Sequence, residues 1–180
     1  MPTKYSALRI ESFDPKRHDR SAFCCGVERL DNYLKLTAKK HHANDLTRVY
    51  VAVEDGKNTV LGYHAINVGR MTADDLNSRP KIVPAHGDIP ILFLGQVAVT
   101  KHAQGNDIGS ILMHHVFEKA ITIADNAGCY AIVLDIMDDG DDDAVELRRR
   151  WYQGFGFQSF ASNPSRLFVT IAQVRLITQN

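Results

Sequence analysis

Apolar side chains recur along the chain in two spacings, and each spacing predicts a different kind of element. Leu30, Leu34 and Ala38 follow one another at four-residue steps, which predicts an amphipathic helix over residues 27–42. A second run of this kind begins at Ile108 and predicts a longer helix. Both helices are expected to place their apolar stripe against a sheet.

Shorter apolar runs bounded by turn residues predict strands. Residues 55–58 carry a turn signal, so residues 49–53 and 60–68 are expected to pair as a hairpin. Residues 89–99 are apolar almost throughout, which is typical of a strand buried on both faces. The other predicted strands are residues 7–12, 130–134, 155–157 and 167–171, with short helices near 73–76 and 144–153. The order β-α-β-β-β-α-β-α-β-β predicts a mixed α/β or α+β sheet protein. No linker rich in Pro, Gly or Ser interrupts the chain, so we expect one domain over residues 1–180.

The formal net charge of zero conceals an uneven distribution. The chain has 21 Lys and Arg against 21 Asp and Glu. Seven of the acidic residues lie between Asp135 and Glu146, a stretch with no basic residue. The rest of the chain therefore carries 21 basic and 14 acidic residues, a net charge of +7. The neutral total argues against a uniformly basic nucleic-acid coat but leaves room for a local basic patch.

Cysteine usage and the apolar runs indicate the compartment. Cys24, Cys25 and Cys129 are odd in number and lack a CxxC spacing, which excludes a disulfide framework and a zinc site of that kind. We therefore expect a reduced, cytoplasmic environment and no metal. No apolar core of a leader peptide is present near the N-terminus. The longest apolar runs, residues 89–94 and 129–134, are far shorter than the ~20 residues of a membrane span, so no membrane association is expected.

The strongest chemical signal is a buried strand that runs through a glycine-bearing loop into a helix. The loop sequence QGNDIGS occupies residues 104–110, directly before the predicted helix. Helix N-termini present unpaired N–H groups, and glycine lets the backbone approach a phosphate closely, so the unit could hold a diphosphate. On spacing alone, Gly105 and Gly109 could equally serve only to shape the turn. Neither GxxxxGK[ST] nor GxGxxG occurs, which disfavours a nucleotide hydrolase and a Rossmann dehydrogenase.

These residues resemble the GNAT N-acetyltransferase family. Residues 94–99 (LGQVAV) and 104–110 (QGNDIGS) are similar to motif A of that family, Q/R-x-x-G-x-G/A after a V-x-V-type strand. Residues 151–157 (WYQGFGF) look like its late segment, which ends in Gly-Phe. The resemblance implies a GNAT fold, with a mostly antiparallel sheet of six to seven strands and flanking helices. One departure is Asp107, which stands where the family usually has the first motif glycine.

The resemblance implies acetyl-CoA as the donor substrate and assigns roles to residues. The backbone of residues 97–99 would pair with the pantetheine and polarise the thioester carbonyl, while the loop amides would hold the diphosphate. Tyr152 would donate a proton to the leaving thiolate. The implied cofactor-binding residues are Val97, Ala98, Val99, Gln104, Gly105, Asn106, Asp107, Ile108, Gly109 and Ser110.

A narrower resemblance concerns the acceptor. The block at residues 23–26 (FCCG), Arg48, and residues 166–168 (RLF) look like the GNAT toxins of type II toxin–antitoxin modules, the TacT-like toxins. This implies acetylation of the amino group of aminoacyl-tRNA, a ribbon-helix-helix antitoxin as partner, and a homodimer. The basic residues available for tRNA phosphates are Lys35, Lys39, Lys40, Arg48, Arg79, Arg148, Arg149 and Arg150.

Two other functions are compatible with the sequence. A GNAT enzyme acting on a small-molecule or protein amine would suit the neutral total charge. A catalytically degenerate domain that binds CoA without turnover is suggested by Asp107, since a carboxylate beside a diphosphate repels it. Acetyl transfer to charged tRNA, to a polyamine and peptide panel, or to neither would separate the three functions.

The acidic segment resembles an EF-hand calcium loop in its spacing. Asp135 to Glu146 spans twelve residues with Asp and Glu at several ligand positions, but Met137 occupies the third. The preceding residues are predicted to form a strand rather than a helix. We therefore expect a solvated loop, whose charge the adjacent arginines at 148–150 could offset.

Overall fold

The computed structural model describes residue 5 and residues 7–76, 79–83 and 86–179. Strands and helices alternate much as the apolar spacing predicts. The strands are β1 Leu8–Ser12, β2 Arg48–Glu54, β3 Val60–Thr72, β4 Asp88–Val99, β5 Ala131–Asp135, β6 Gln158–Ser159 and β7 Arg166–Thr170. The helices are α1 Glu28–Asn32, α2 Ala38–Ala43, α3 Ile108–Ala127, α4 Asp142–Gln153 and α5 Ile171–Thr178.

The strands form a seven-stranded sheet in the order β1-β2-β3-β4-β5-β7-β6. The β1–β2, β2–β3, β5–β7 and β6–β7 pairs are antiparallel, and β4 and β5 are parallel. The hairpin expected across residues 55–58 forms between β2 and β3, with Tyr50 opposite His64. This architecture confirms the predicted mixed α/β class and the number of strands implied by the GNAT resemblance.

The chain divides into two compact units. Unit 1 comprises Met1–Asn67 and Gly95–Val116. Its core contains the buried side chains of Phe23, Leu34 and Tyr63, and the Tyr63 hydroxyl donates to the Leu30 carbonyl at 2.8 Å. The helix predicted over residues 27–42 is present, but a π-helical turn at Tyr33–Thr37 separates α1 from α2.

Unit 2 comprises Val68–Leu94 and Phe117–Asn180. Its core is built on β5, where Val133 lies opposite Phe93 of β4 and Phe168 of β7. Phe160 packs against Phe168 with ring centroids 4.7 Å apart. The single domain expected over residues 1–180 stays a prediction.

Two expectations about the C-terminal segment are wrong. Residues 154–156 form a turn and Phe157 lies outside any strand, because Gly156 has φ +87° and the Phe157 ring packs against Phe117. The strand is displaced to Gln158–Ser159. The sequence analysis also did not predict the final helix α5. Thr170 and Gln173 form a capping box at its start, and the sequence pattern T-x-x-Q is typical of such a box.

Side chains of the acidic segment are engaged within unit 2. The Asp141 carboxylate accepts from the Ala144 amide at 3.1 Å and caps α4. Arg148 donates to Asp139 at 3.0 Å and to the Met137 carbonyl at 2.9 Å. The segment thus serves as the N-terminal cap of α4. In the described part of the chain, no helix is both long and apolar enough to cross a bilayer.

Candidate functional site

The predicted glycine loop joins the end of β4 to the start of α3 within unit 1. A 3-10 turn at Lys101–Ala103 is followed by Gly105 with φ +76° and Asp107 with φ +58°. Left-handed backbone is rare for residues with a side chain, although Asp is among the more tolerant. Asp107 therefore adopts the conformation that the family's usual glycine would favour.

The amide groups of residues 105–110 lie just before and within the first turn of α3. The Asp107 carbonyl accepts from the Ile111 amide at 3.0 Å and opens the hydrogen-bond ladder of α3. Among the described residues, no acceptor is found for the amides of residues 105–110. A Cβ added at Gly105 would meet nothing within 4 Å. Free amides at a helix N-terminus attract anions, so this loop fits the diphosphate of CoA.

The loop is anchored by the segment around Cys24 and Cys25. The Lys101 amide donates to the Cys24 carbonyl at 2.8 Å. The Gln104 side chain donates to the Cys25 carbonyl at 3.0 Å and to the Val99 carbonyl at 2.9 Å. Gln104 is therefore a structural clamp on the loop, and its side chain is committed to backbone acceptors.

Gly62 on β3 was missed by sequence reasoning, yet it sets the position of α3. A Cβ at this position would lie 3.0 Å from Leu112 Cδ1, 3.1 Å from the Ala98 carbonyl oxygen and 3.2 Å from Ile108 Cγ2. Each distance is tighter than ordinary van der Waals contact. A lone glycine within an apolar strand run is the signal for such close approach.

Residues 97–99 lie beyond the pairing between β4 and β5. The last parallel pair joins Phe93 to Val133, whereas β4 continues to Val99. Ala98 is buried, and Val97 and Val99 are half-buried. An extended segment past its last strand partner on that side can accept a further extended chain.

Tyr152 lies near the end of α4 in unit 2, within an aromatic cluster. Its ring centroid is 4.9 Å from that of Trp151 and 5.9 Å from that of Phe157. Burial raises the pKa of Tyr152 above its ordinary value of 10, and the nearby Arg148 guanidinium opposes that rise. The phenol is therefore protonated at neutral pH and can act as a proton donor.

The basic residues proposed for tRNA fall into two groups. In unit 1, Lys35 is half-buried, Lys39 and Lys40 are exposed, and Arg48 pairs with Asp45 at 2.5 Å. In unit 2, Arg79 donates to the Val83 carbonyl at 2.8 Å. All three arginines of α4 have acidic partners: Arg148 pairs with Asp139, and Arg149 and Arg150 pair with Glu146.

Comparisons with known proteins find relatives that cover nearly the whole chain. Residues 45–159 match the Acetyltransferase (GNAT) domain. The chain is 37% identical to a protein of Sinorhizobium fredii (strain NBRC 101917 / NGR234) named "Probable toxin TacT", covering 92% of each chain. It is 27% identical to the "tRNA-acetylating toxin" of Mycobacterium tuberculosis (strain ATCC 25618 / H37Rv), covering 96% of each.

Solved structures share the fold. The toxin AtaT complexed with acetyl-methionyl-tRNAfMet superimposes with a TM-score of 0.84 at 22% identity, covering 96% of this chain and 99% of that one. A tyrosine-to-phenylalanine mutant of AtaT, bound to acetyl-CoA and the C-terminus of the antitoxin AtaR, gives a TM-score of 0.79 at 20% identity, with the same coverage.

Proposed function

Because this chain belongs to the GNAT acetyltransferase family, we propose that it acetylates the amino group of aminoacyl-tRNA with acetyl-CoA and so acts as a toxin that blocks translation. The observation that carries this proposal is similarity over nearly the whole chain to two proteins named as toxins, one of them tRNA-acetylating. Similarity over 92% or more of each chain includes the segments that flank the GNAT match.

The glycine loop is proposed to hold the donor. Acetyl-CoA supplies an activated acetyl group as a thioester, and it carries a diphosphate. The amides of residues 105–110 would donate to that diphosphate, and the open space at Gly105 lets the backbone approach it. The exposed Asp107 carboxylate must point away from the phosphates.

Transfer requires a polarised carbonyl, a neutral amine and a proton for the leaving sulfur. Amides within residues 97–99 would donate to the thioester oxygen. The amine nitrogen forms the new bond to the acyl carbon as the carbon–sulfur bond breaks, and the Tyr152 hydroxyl would supply the proton to sulfur. The amine loses its own proton to water, since an α-amino group has a pKa of about 8. No dedicated general base is needed.

The acceptor is proposed to meet the basic residues of unit 1. Lys39 and Lys40 are exposed, and in the described part of the chain neither has a salt-bridge partner. The arginines of α4 are already paired with carboxylates, which makes them weaker candidates for phosphate contacts. Contacts to phosphates weaken steeply as salt is raised.

The test is an acceptor panel with radiolabelled acetyl-CoA. Charged tRNA is expected to take up label, and deacylated tRNA, a polyamine and a peptide set are expected to take up little. Label on the polyamine or peptides alone would contradict the proposal. Binding of CoA without transfer to any acceptor would indicate a degenerate enzyme.

A toxin of this type requires a neutralising partner. We propose a small ribbon-helix-helix antitoxin encoded in the neighbouring reading frame, and a homodimer as the form of the toxin itself. Co-expression with that frame should restore growth and yield a complex on size-exclusion chromatography. Growth arrest that persists in the presence of the co-expressed neighbour would contradict this partner.

A further inference from the structure

We propose that a basic groove on unit 1, separate from the glycine loop, binds a phosphate of the RNA backbone. The groove has a volume of about 500 Å³ and is lined by residues 15–21 together with Lys35. We call it the Arg20 groove. The proposal rests on RNA being the substrate, and it adds a binding site whose other residues were not among those expected to contact tRNA.

Positive charge dominates the lining. Lys16, Arg17, Arg20 and Lys35 face one lining carboxylate, that of Asp19. Arg17 is held by Glu11, which neutralises it. Among the described residues, the other three cations have no salt-bridge partner. Three cations beside one carboxylate leave the groove with a net positive charge, which favours the binding of an anion.

Arg20 is held in a fixed orientation. Its Nε donates to the Leu34 carbonyl at 3.1 Å, and its guanidinium lies over the Phe13 ring, 5.2 Å from the centroid. These contacts use one of the five N–H donors and one face of the guanidinium. The terminal amino groups remain available for a phosphate, which arginine binds in a forked geometry.

The wall of the groove carries one ionised carboxylate, that of Asp19, because hydrogen bonds from Ser21 lower its pKa. Asp19 accepts from the Ser21 amide at 3.0 Å and from the Ser21 hydroxyl at 2.7 Å. His18 is buried between the Asp14 amide at 2.9 Å and the Glu11 carboxylate at 3.1 Å. Burial, with help from Arg17, lowers the pKa of His18, so the imidazole is neutral at pH 7. One ionised carboxylate, Asp19, therefore lies beside the three cations Lys16, Arg20 and Lys35, and the groove keeps a net positive charge.

The π-helical turn at Tyr33–Thr37 is a second, independent observation that favours a functional site at the Arg20 groove. Its wider turn is closed by the Ala38 amide, which donates to the Tyr33 carbonyl five residues earlier. The same turn carries Lys35 and offers the Leu34 carbonyl to Arg20. Single π turns inside α-helices cost stability and occur frequently at functional sites.

RNA fits this groove better than an acidic protein segment does. Apart from Pro15, every lining residue is polar or charged. Protein partners generally need an apolar anchor at the centre of an interface, and the groove offers none. A phosphate needs only charge and directed N–H donors, which Lys16, Arg20 and Lys35 provide together.

The experiment measures binding of fluorescently labelled, deacylated tRNA to the full chain as a function of salt. The variant Lys16→Gln/Lys35→Gln removes two groove cations, and Lys57→Gln/Lys81→Gln removes two lysines that do not line the groove. The slope of log affinity against log salt is expected to fall by about 1 in the groove variant, since the groove binds one phosphate and each phosphate contact contributes about 1. The control should retain its slope.

A second variant tests the arginine geometry. Arg20→Lys keeps the charge but loses the forked donor pair, so tRNA affinity should fall while the salt slope stays unchanged. Thermal unfolding of each variant shows whether Arg20 acts only on the fold. If Arg20→Lys is too unstable to measure, the lysine pair alone decides the outcome.

Three results would overturn the inference. Equal losses of affinity in the groove and control variants would mean that only total charge matters. Equal losses for a poly-glutamate peptide would indicate an acidic protein ligand. Weakened acetyl-CoA binding would place the phosphates of CoA in the groove. Deacylated tRNA carries no aminoacyl group, so this experiment measures binding without acetylation. The groove proposal can therefore be correct even if charged tRNA is not acetylated, and charged tRNA can be acetylated even if the groove does not bind RNA.

Discussion

The glycine loop and the Arg20 groove both lie in unit 1, yet they offer an anion different kinds of donor. The loop presents backbone amides of residues 105–110, fixed by a helix start and two left-handed residues. The groove presents charged side chains, of which only Arg20 is held by two contacts. The loop should therefore respond to changes of backbone shape and little to salt, whereas the groove should respond to charge removal and strongly to salt.

The largest effect on turnover is expected for Tyr152→Phe. This change removes the proposed proton donor, which lies in neither the glycine loop nor the Arg20 groove. Turnover should fall by about 10²- to 10⁴-fold, the usual contribution of a general acid. Acetyl-CoA affinity should be unchanged, because the loop amides are untouched. Single-turnover acetylation and isothermal titration with acetyl-CoA measure the two quantities.

Tyr130→Phe is the matched control for that experiment. Tyr130 is also a half-buried tyrosine of unit 2, and it lies outside the proposed catalytic groups. Its loss should leave turnover near the wild-type value. If Tyr152→Phe turned over as fast as this control, Tyr152 would be a packing residue only.

Gly62→Ala tests whether the backbone shape of the glycine loop depends on the close packing of α3 against β3. The added methyl group would lie 3.0–3.2 Å from Leu112, Ala98 and Ile108, so α3 must shift. Overpacking of this kind costs about 1–3 kcal/mol in the free energy of unfolding, and the displaced helix start should weaken acetyl-CoA binding. Chemical denaturation and calorimetric titration measure the two effects.

The same strand supplies the control. A Cβ at Gly69 meets Ile91 at 3.5 Å, which is ordinary contact, so Gly69→Ala should change stability little. A Gly62→Ala protein with wild-type stability and acetyl-CoA affinity would show that close packing of α3 does not set the loop.

Asp107→Asn separates charge from backbone at the loop itself. Asn tolerates left-handed backbone as Asp does, so the variant removes only the negative charge. Acetyl-CoA affinity should rise by about two- to fivefold, the size expected for one exposed charge. Asp107→Ala loses the charge too but disfavours φ +58°, and it should bind less tightly than Asp107→Asn. Equal affinities for the two variants would argue against a role for the backbone conformation.

The smallest expected effect is a change in thermal stability with pH, caused by His18 in the wall of the Arg20 groove. Burial lowers the folded-state pKa of His18 below its ordinary value of 6.5, and Arg17 acts in the same direction while Asp14 opposes it. Below pH 6.5 the unfolded chain therefore binds more protons, and stability present above that pH is lost as the pH falls. The melting temperature should drop between about pH 7 and pH 5, less so in His18→Gln. Identical pH profiles in both proteins would exclude His18 as the source.

Hydrophobic patterns predict a helix or strand well where the apolar residues follow one pattern over the whole element. The helix from Ile108 was found because its apolar residues keep one period, and the strand over β4 was found because its residues are apolar almost throughout. The π-helical turn could not be found in this way, since one extra residue per turn leaves Leu34 and Ala38 on the same face. The strand expected at residues 155–157 was wrong because aromatic residues between glycines also fit a packed turn.

Within the candidate sites, too, residues that are contiguous in sequence could be predicted, whereas residues brought together only by folding could not. Residues 104–110 are contiguous, so a motif was enough to bring them together. The Arg20 groove joins residues 15–21 to Lys35 across a helix, and only the packing of Arg20 on Phe13 reveals it. Gly62 likewise gains its role from α3, which begins more than forty residues later in the chain.

The clamp between residues 24–25 and the glycine loop has a consequence for the order in which the protein is made. The Cys24 amide donates to the Thr100 hydroxyl at 3.3 Å, 76 residues away in sequence. The Gln104 side chain donates to the Cys25 carbonyl, 79 residues away. Contacts at such separation carry a loop-closure cost, and neither can form before the later of its two residues has been synthesised. On the ribosome, residues 24–25 must wait for Gln104 to emerge before the loop is fixed. The loop that we propose to hold acetyl-CoA is therefore fixed only after residues 1–104 have been synthesised.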